Sequence, residues 1–184
     1  MPLPLTDQEL ESWDRWSKRK IDWKPEDVQR LLATITQLKA QHEITCVKPG
    51  TKLYAKVIEL RFEVLRKPLG RVFSEADIEA EVNDHHLAIV EGESVKACLV
   101  LTERGQGTVQ MRQVAVNPNF QRGGLGSVLV RYSELFARRL DMTEMVLHAR
   151  ANVVGFYERL GYEKQGDLFE EVGIPHQNMR KVLL

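Results

Sequence analysis

Hydrophobic positions in the last third of the chain recur at the spacing of an α-helix. The apolar stripe that begins at Leu125 and ends at Leu140 predicts a long amphipathic helix. A second helix is predicted over Ala149–Leu160, where Gly161 provides a natural C-terminal stop. The apolar run Met145–Leu147 lies between them and is typical of a short buried strand. The pattern therefore predicts a helix–strand–helix unit here.

Earlier segments alternate between apolar runs that favour strands and apolar spacings that favour helices. Gly92 marks the turn of a hairpin, and Gly105 and Gly107 mark the next turn. This succession is typical of a mixed α/β fold. The predicted elements are a short strand at Leu53–Ala55, a helix at Val57–Arg66, an acidic helix opened by Ser74, strands at Leu87–Val90, Val95–Leu101 and Thr108–Val116, and closing strands at Tyr162–Lys164 and Met179–Leu183.

The beginning of the chain differs from the rest, because it contains two helical patterns and no strand pattern. Thr6 is placed to cap the first helix, and Pro25 is placed to begin the second. Lys48–Gly50 then breaks the pattern. We predict a helical extension over residues 1–45 and the main domain over residues 46–184. The tryptophans of the extension fit either an anchor surface for a protein partner or packing on the chain's own domain: Trp13, Trp16 and Trp23.

The composition is that of an ordinary globular protein with balanced charge. The 26 basic and 26 acidic residues cancel, so the basic excess of a nucleic-acid binder is missing. No apolar run approaches the ~20 residues of a membrane helix, and the first residues do not resemble a secretory signal. Cys46 and Cys98 form no disulfide framework, and the adjacent His85 and His86 would point to opposite faces of a strand. We expect a cytoplasmic protein without a metal site.

The loop between the strand Thr108–Val116 and the long helix carries the clearest chemistry. Its glycines let a ligand approach the backbone, and the free N–H groups at the start of a helix favour a phosphate. The loop lacks the lysine of a P-loop, and Leu129 stands where a dinucleotide fingerprint needs a glycine. The pattern Gln/Arg-x-x-Gly-x-Gly/Ala is met by Gln121, Gly124 and Gly126. At this point a glycine-rich turn without a ligand stays open as an alternative.

Two motifs in the second half of the chain occur in a fixed order, separated by a helix and a strand. The first is Val114-Ala115-Val116-x-Pro-x-x-Gln-Arg-Gly-Gly-Leu-Gly-Ser, and the second is Ala151-Asn152-x-x-Gly155-Phe156-Tyr157-Glu158-Arg159-Leu160-Gly161-Tyr162. Together they resemble the coenzyme A motif and the following motif of the GNAT superfamily of N-acetyltransferases. The C-terminal segment Glu-x-Gly-Ile-Pro-His, which ends at His176, is similar to a segment of some bacterial members.

The resemblance implies a mixed α/β fold with a mostly antiparallel sheet, splayed central strands and helices on both faces. It implies acetyl-coenzyme A as the acyl donor. Pro118 cannot donate to a sheet ladder, which agrees with a parting of strands beside it. Backbone groups of Val114 and Val116 would pair with the pantetheine arm, and the Val116 N–H would polarise the thioester carbonyl. The implied cofactor-binding residues are Val114, Ala115, Val116, Gln121, Arg122, Gly123, Gly124, Leu125, Gly126, Ser127 and Asn152.

Acetyl transfer to an amine needs two proton movements, because the amine must lose a proton and the leaving thiolate is helped by gaining one. The resemblance implies Tyr157 as the acid; a core tyrosine beside Phe156 is the alternative. His176 is the predicted base or substrate contact, oriented by Glu171, because an imidazole changes charge near neutral pH. A structural loop histidine is the alternative there. Weaker candidates for a base or an anion contact are Glu103, Gln113 and Arg112.

These observations predict an N-acetyltransferase that moves acetyl from acetyl-coenzyme A to a primary amine by direct attack in a ternary complex. A module that binds acyl-coenzyme A without turnover, or a regulatory partner, is the alternative. The acceptor stays open among small molecules and peptide amines, because a fold does not determine it. The acidic run Glu75–Glu81 would either attract a cationic amine or form a solvated helix face. A splayed strand would also support a homodimer.

Overall fold

The structure, a computed structural model, describes residues 43–183. Runs of β-branched and aliphatic residues in this part of the chain form the strands of one sheet. The strands are β1 (Glu43–Val47), β2 (His85–Glu91), β3 (Ser94–Gly105), β4 (Thr108–Val116), β5 (Glu144–Arg150), β6 (Glu163–Glu171) and β7 (Ile174–Val182).

Capping residues in the sequence determine where two of the helices begin. The Oγ1 of Thr51 accepts from the Tyr54 N–H at 3.2 Å, and Ser74 forms a capping box with Asp77. The first helix continues without a break into a π-helical turn at Phe62–Arg66 and a 3₁₀ turn at Lys67–Leu69. The helices are α1 (Lys52–Arg61), α2 (Glu75–Glu79), α3 (Leu125–Arg139) and α4 (Val154–Glu158).

The sheet is antiparallel except at its centre. Its seven strands lie in the order β1-β2-β3-β4-β5-β7-β6, and only β4 and β5 run parallel. These two strands pair over Thr108–Met111 and Glu144–Leu147 and then diverge. The predicted mixed α/β class and the splayed central strands are both confirmed.

Hydrophobic side chains pack against both faces of the sheet. The consecutive residues Cys98 and Leu99 of β3 belong to different buried clusters, as alternation along a strand requires. Leu99 packs in the cluster that contains α3, whereas Cys98 packs in the cluster that contains α1. We call these sides the α3 face and the α1 face. Any side chain of the central strands can therefore be assigned to one face or the other.

A bulge in β4 changes which side chains face α3. The register with β3 shifts between the pairs Cys98/Ala115 and Val100/Arg112, and Gln113 adopts a positive φ of 52°. Before the bulge Met111 packs on the α3 face; after it, Ala115 packs on the α1 face. The bulge thus turns the side chains of Val114 and Val116 towards the α3 face, where both pack on the core.

Several predicted elements were wrong in type or extent. The closing strands, predicted over Tyr162–Lys164 and Met179–Leu183, are the longer strands β6 and β7. Leu53–Ala55 is not a strand but lies within α1, because the cap at Thr51 starts the helix before it. The helix predicted over Ala149–Leu160 begins later, because Ala149 and Arg150 still pair with β7. A short 3₁₀ turn at Ala151–Val153 separates that strand from α4.

The strand β1 was not predicted, and it straddles the predicted boundary at residue 45. It pairs with β2 along its whole length, from Glu43 opposite Val90 to Val47 opposite His86. The two helices predicted for the N-terminal extension lie outside the described residues. Within residues 43–183, no helix has the length and apolar character needed to cross a membrane.

Candidate active site

A cleft of about 770 Å³ opens where β4 and β5 diverge, and it is reached from both faces of the sheet. On the α3 face it is lined by the glycine loop, Phe156 and Tyr157. On the α1 face it is lined by the π-helical turn and by His148 and Arg150, which alternate along β5 with Leu147 and Ala149 of the α3-face cluster. The divergence of β4 and β5 therefore creates a passage through the sheet.

The glycine loop leaves the start of α3 open to a ligand. Gly124 is the N-cap residue, with a φ of 85° and no side-chain cap, so the first N–H groups of this 15-residue helix have no intrahelical acceptor. A Cβ added at Gly126 would meet Phe156 Cζ and Val116 Cγ2 at 3.5 Å, which is ordinary contact. Glycine here is therefore not required by packing. It keeps the backbone accessible, as a phosphate-bearing cofactor requires.

The end of β4 directs backbone groups into the widening gap. Asn117 N–H donates to Lys96 O at 2.9 Å across the β3 side of the strand. Alternation along an antiparallel ladder therefore turns the N–H and C=O of Val116 to the opposite side. There the Gln121 amide donates to Val116 O at 3.1 Å. The Val116 N–H faces the gap, the position at which an added strand-like group would pair.

Tyr157 reaches the cleft from the α3 face and is buried among aromatic rings. Its ring contacts Phe156 at 4.9 Å and Tyr162 at 5.7 Å between centroids, both edge-on. Burial raises the pKa of the Tyr157 hydroxyl well above its usual range. The phenol is therefore protonated near neutral pH and has a proton to donate.

Two histidines line the cleft from the α1 face, and the predicted partner of one was wrong. His176 is buried, and its Nδ1 lies 2.8 Å from Ile174 O, which makes Nδ1 the protonated nitrogen. Glu171 does not orient His176. Its Oε2 lies instead 2.8 Å from Nδ1 of His148. The His148 and Phe169 rings also pack edge to face, at 5.0 Å between centroids.

A model of the acetyltransferase (GNAT) domain matches residues 65–183. The chain belongs to the GNAT acetyltransferase family. Among individual proteins, the uncharacterized protein YyaT of Bacillus subtilis (strain 168) is 31% identical over 74 residues, which are 40% of this chain and 50% of YyaT. The chain spans about half the length of the curated relatives it matches.

Solved structures share the GNAT fold across most of the chain. An acyl-CoA N-acyltransferase from Pseudomonas aeruginosa superposes with a TM-score of 0.67 and 26% identity, covering 76% of this chain and 99% of that one. An aminoglycoside 6'-N-acetyltransferase complexed with coenzyme A superposes with a TM-score of 0.65 and 13% identity, covering 77% and 97%. The second likeness shows the fold alone.

Most of the predicted site residues come together at the cleft, but three of the thirteen do not line it. Ala115 is buried on the α1 face, and the side chain of Asn152 is exposed, as is the residue Gly123. The residues that do line it are Val114, Val116, Gln121, Arg122, Gly124, Leu125, Gly126, Ser127, Tyr157 and His176.

The weaker sequence candidates have structural partners in this GNAT domain. Glu103 lies 3.1 Å from His85 and does not line the cleft. Gln113 lines the cleft, yet its side chain is held by Arg61 at 2.7 Å and by Glu81. These contacts make Gln113 part of the bulge that shapes β4.

Sequence reasoning missed His148, Arg150 and Arg66, which all line the cleft. The first two follow the predicted strand Met145–Leu147, and its true extent to Arg150 would have placed them at the parting of the strands. Arg66 lies in the π-helical turn, a distortion that is frequent at functional sites and that no sequence pattern announced.

Proposed function

We propose that this GNAT protein is an N-acetyltransferase that moves acetyl from acetyl-coenzyme A to the primary amine of an acceptor, with both substrates bound together. The observation that carries the proposal is the cleft through the sheet. It joins the glycine loop and Tyr157 on one face to His148 and Glu171 on the other. A donor and an acceptor could enter from opposite faces and meet in the gap, which supports direct attack.

The residues present fit acetyl-coenzyme A, which supplies an activated acetyl thioester when bound. N–H groups of Gly126 and Ser127, at the uncapped start of α3, would hold the pyrophosphate. Val116 would pair with the pantetheine arm through backbone groups that face the gap. Its N–H would then donate to the thioester carbonyl and stabilise the charge that develops on oxygen.

Tyr157 is proposed to donate its hydroxyl proton towards the leaving sulfur. The phenol lines the cleft from the α3 face, the same face as the glycine loop. Because burial raises its pKa, the phenol is protonated near neutral pH and would donate to the sulfur as negative charge develops there.

His148 is proposed as the group that accepts the proton of the attacking amine. The Glu171 carboxylate beside Nδ1 fixes the tautomer and stabilises the imidazolium that forms, so Nε2 is the nitrogen that accepts the proton. His176 stays a prediction for the same role, because its Nδ1 contact with Ile174 O also leaves Nε2 as the basic nitrogen. The two assignments are separable by single substitutions.

The test is an acetylation assay with acetyl-coenzyme A and a panel of amines. Release of the coenzyme A thiol measures the rate, and mass spectrometry identifies the acetylated product. Tyr157→Phe is expected to lower kcat by about 10²–10⁴-fold while the affinity for acetyl-coenzyme A is kept. Tyr54→Phe is the matched control, because Tyr54 is a buried tyrosine that does not line the cleft. Full kcat in Tyr157→Phe would remove the assigned role.

The base is tested in the same assay by single substitutions. His148→Gln should lower kcat by about 10²–10⁴-fold while the affinity for acetyl-coenzyme A is kept, and Glu171→Gln should lower kcat by a smaller factor. If His176→Gln lowers kcat by that factor and His148→Gln does not, the base is His176. Acetyl-coenzyme A binding without turnover of any amine would favour the alternative, a non-catalytic binding or regulatory module.

A further inference from the structure

The half of the cleft on the α1 face is lined by cationic side chains. Arg66, Arg112 and Arg150 all line it. Among the residues that the structure describes, Glu171 is the only carboxylate in the cleft lining, and it is paired with His148. The charge of this half therefore depends on whether the arginines have partners of their own.

Arg112 has such partners, and it serves as the reference. Its guanidinium nitrogens lie 3.6 Å from Glu81 Oε1 and 3.5 Å from Asp84 Oδ2. The positive charge of Arg112 is thereby balanced before any ligand binds.

Arg66 and Arg150 lack a carboxylate partner within residues 43–183. The Arg66 guanidinium lies over the Phe73 ring at 4.7 Å, and its Nε is buried without a hydrogen-bond partner among the described atoms. Arg150 Nη2 donates only to the backbone oxygen of Leu65 at 3.3 Å. That contact brings Arg150 to the same turn that carries Arg66. Both cations therefore line the cleft without forming an ion pair among the described residues.

The phosphates of acetyl-coenzyme A are not placed to pair with Arg66 and Arg150. The glycine loop and the start of α3 lie on the α3 face, whereas Arg66 and Arg150 lie on the α1 face, beyond the gap. The buried Nε of Arg66 is costly to leave without a hydrogen-bond partner, and guanidinium groups match carboxylate and phosphate oxygens in geometry. The remaining reactant, the amine acceptor, is the molecule placed to supply the anion.

We propose that the acceptor is a primary amine that carries a carboxylate or a phosphate, which Arg66 and Arg150 bind while the amine points into the gap. This inference rests on the proposed function. Polycationic acceptors such as polyamines are disfavoured, because like charges would meet at the two arginines.

The first test compares acceptors that differ only in the anionic group. Amino carboxylates are compared with their amides, aminoalkyl phosphates with the corresponding amino alcohols, and both with a linear polyamine. The anionic member of each pair is expected to have a kcat/KM about ten- to a hundredfold higher. Which of the two anionic series leads identifies the group that the arginines bind.

The second test removes the cations one at a time. Arg150→Gln and Arg66→Gln should raise KM for the anionic acceptors about tenfold or more. KM for the neutral acceptors should stay the same. Arg71→Gln is the matched control, because Arg71 is exposed and does not line the cleft. Calorimetric titration of the leading acceptor into the protein, with coenzyme A bound, gives the same comparison without turnover.

The outcomes separate this inference from the proposed function. If acetyl-coenzyme A binds and neutral amines or polyamines are acetylated as well as anionic ones, the inference is overturned and the function stands. If neither arginine variant weakens an anionic acceptor more than Arg71→Gln does, the inference is likewise wrong. If acetyl-coenzyme A does not bind and no amine reacts, the proposed function fails and this inference fails with it.

Discussion

Neutralising Glu81 should destabilise the protein strongly, because Glu81 is the anion of a buried ion pair beneath the bulge in β4. The Arg61 and Glu81 side chains are 0% and 4% exposed, and Nη2 lies 2.6 Å from Oε2. Both groups also hold the Gln113 side chain, with Arg61 Nε donating to Gln113 Oε1 at 2.7 Å. Glu81→Gln keeps the shape of the side chain and leaves the Arg61 cation buried beside a neutral amide.

The size of the effect follows from the burial of both partners. Removing one partner of a buried pair destabilises a protein by about 3–5 kcal/mol. For a domain of this size, about 2–4 °C of melting temperature corresponds to each kcal/mol, so the melting temperature should fall by roughly 6–20 °C. Thermal and urea unfolding, followed by circular dichroism, measure the change.

The control is Glu63→Gln, which breaks the exposed pair between Glu63 in the π-helical turn and Lys67 in the 3₁₀ turn that follows it. Its partners are 47% and 60% exposed, so the expected loss is at most about 0.5 kcal/mol. In a double-mutant cycle, Arg61→Gln with Glu81→Gln should lose less than the two single losses together, by at least about 0.5 kcal/mol. If Glu81→Gln unfolds no more easily than Glu63→Gln, or if the cycle shows no coupling, the buried pair does not stabilise the bulge.

Three further predictions concern the loop, a histidine and a thiol. Gly124→Ala should lower the free energy of unfolding by about 1–2 kcal/mol, because an alanine is strained at a φ of 85°. It should also abolish the thermal shift with acetyl-coenzyme A. Gly50→Ala, at a φ of 78° away from the cleft, is the control that should show the strain alone. Burial lowers the pKa of His86, so the stability that depends on its neutral form is complete above about pH 6.5 and is lost as the pH falls through the folded-state pKa. Between pH 7.5 and 5, the melting temperature should therefore fall less steeply with pH in His86→Gln than in the native protein. An unchanged pH dependence would contradict the account. Burial raises the pKa of the Cys98 thiol to about 12, so Ellman's reagent at pH 8 should label it only after denaturant is added. Because Cys46 is only partly buried, rapid labelling of both thiols in the native protein is the result that would show that the Cys98 site opens.

The sequence was sufficient to predict the parts of the fold that depend on local patterns. The strand Thr108–Val116 and the start of α3 at Leu125 match their predictions, because apolar periodicity and a glycine-rich turn are local signals. The acidic helix behind Ser74 is confirmed for the same reason, since its capping box is encoded within four consecutive residues.

Features that depend on tertiary pairing were not predicted. β1 is a short run with no strong alternation, and it becomes a strand only because β2 offers it an edge. The bulge at Gln113 requires Arg61 and Glu81, which are distant in sequence. For the same reason Glu171 was assigned to a neighbouring histidine, whereas the fold pairs it with His148 on another strand.

The central claim is tested most directly by a thermal melt with acetyl-coenzyme A, with ATP and NAD as controls. At about one hundred times the dissociation constant, binding contributes about 2.7 kcal/mol, so the melting temperature should rise by roughly 5–11 °C with acetyl-coenzyme A. Gly124→Ala should remove that rise. An equal rise with ATP or NAD, or no rise with millimolar acetyl-coenzyme A, would contradict the assignment of the cleft as an acetyl-coenzyme A site.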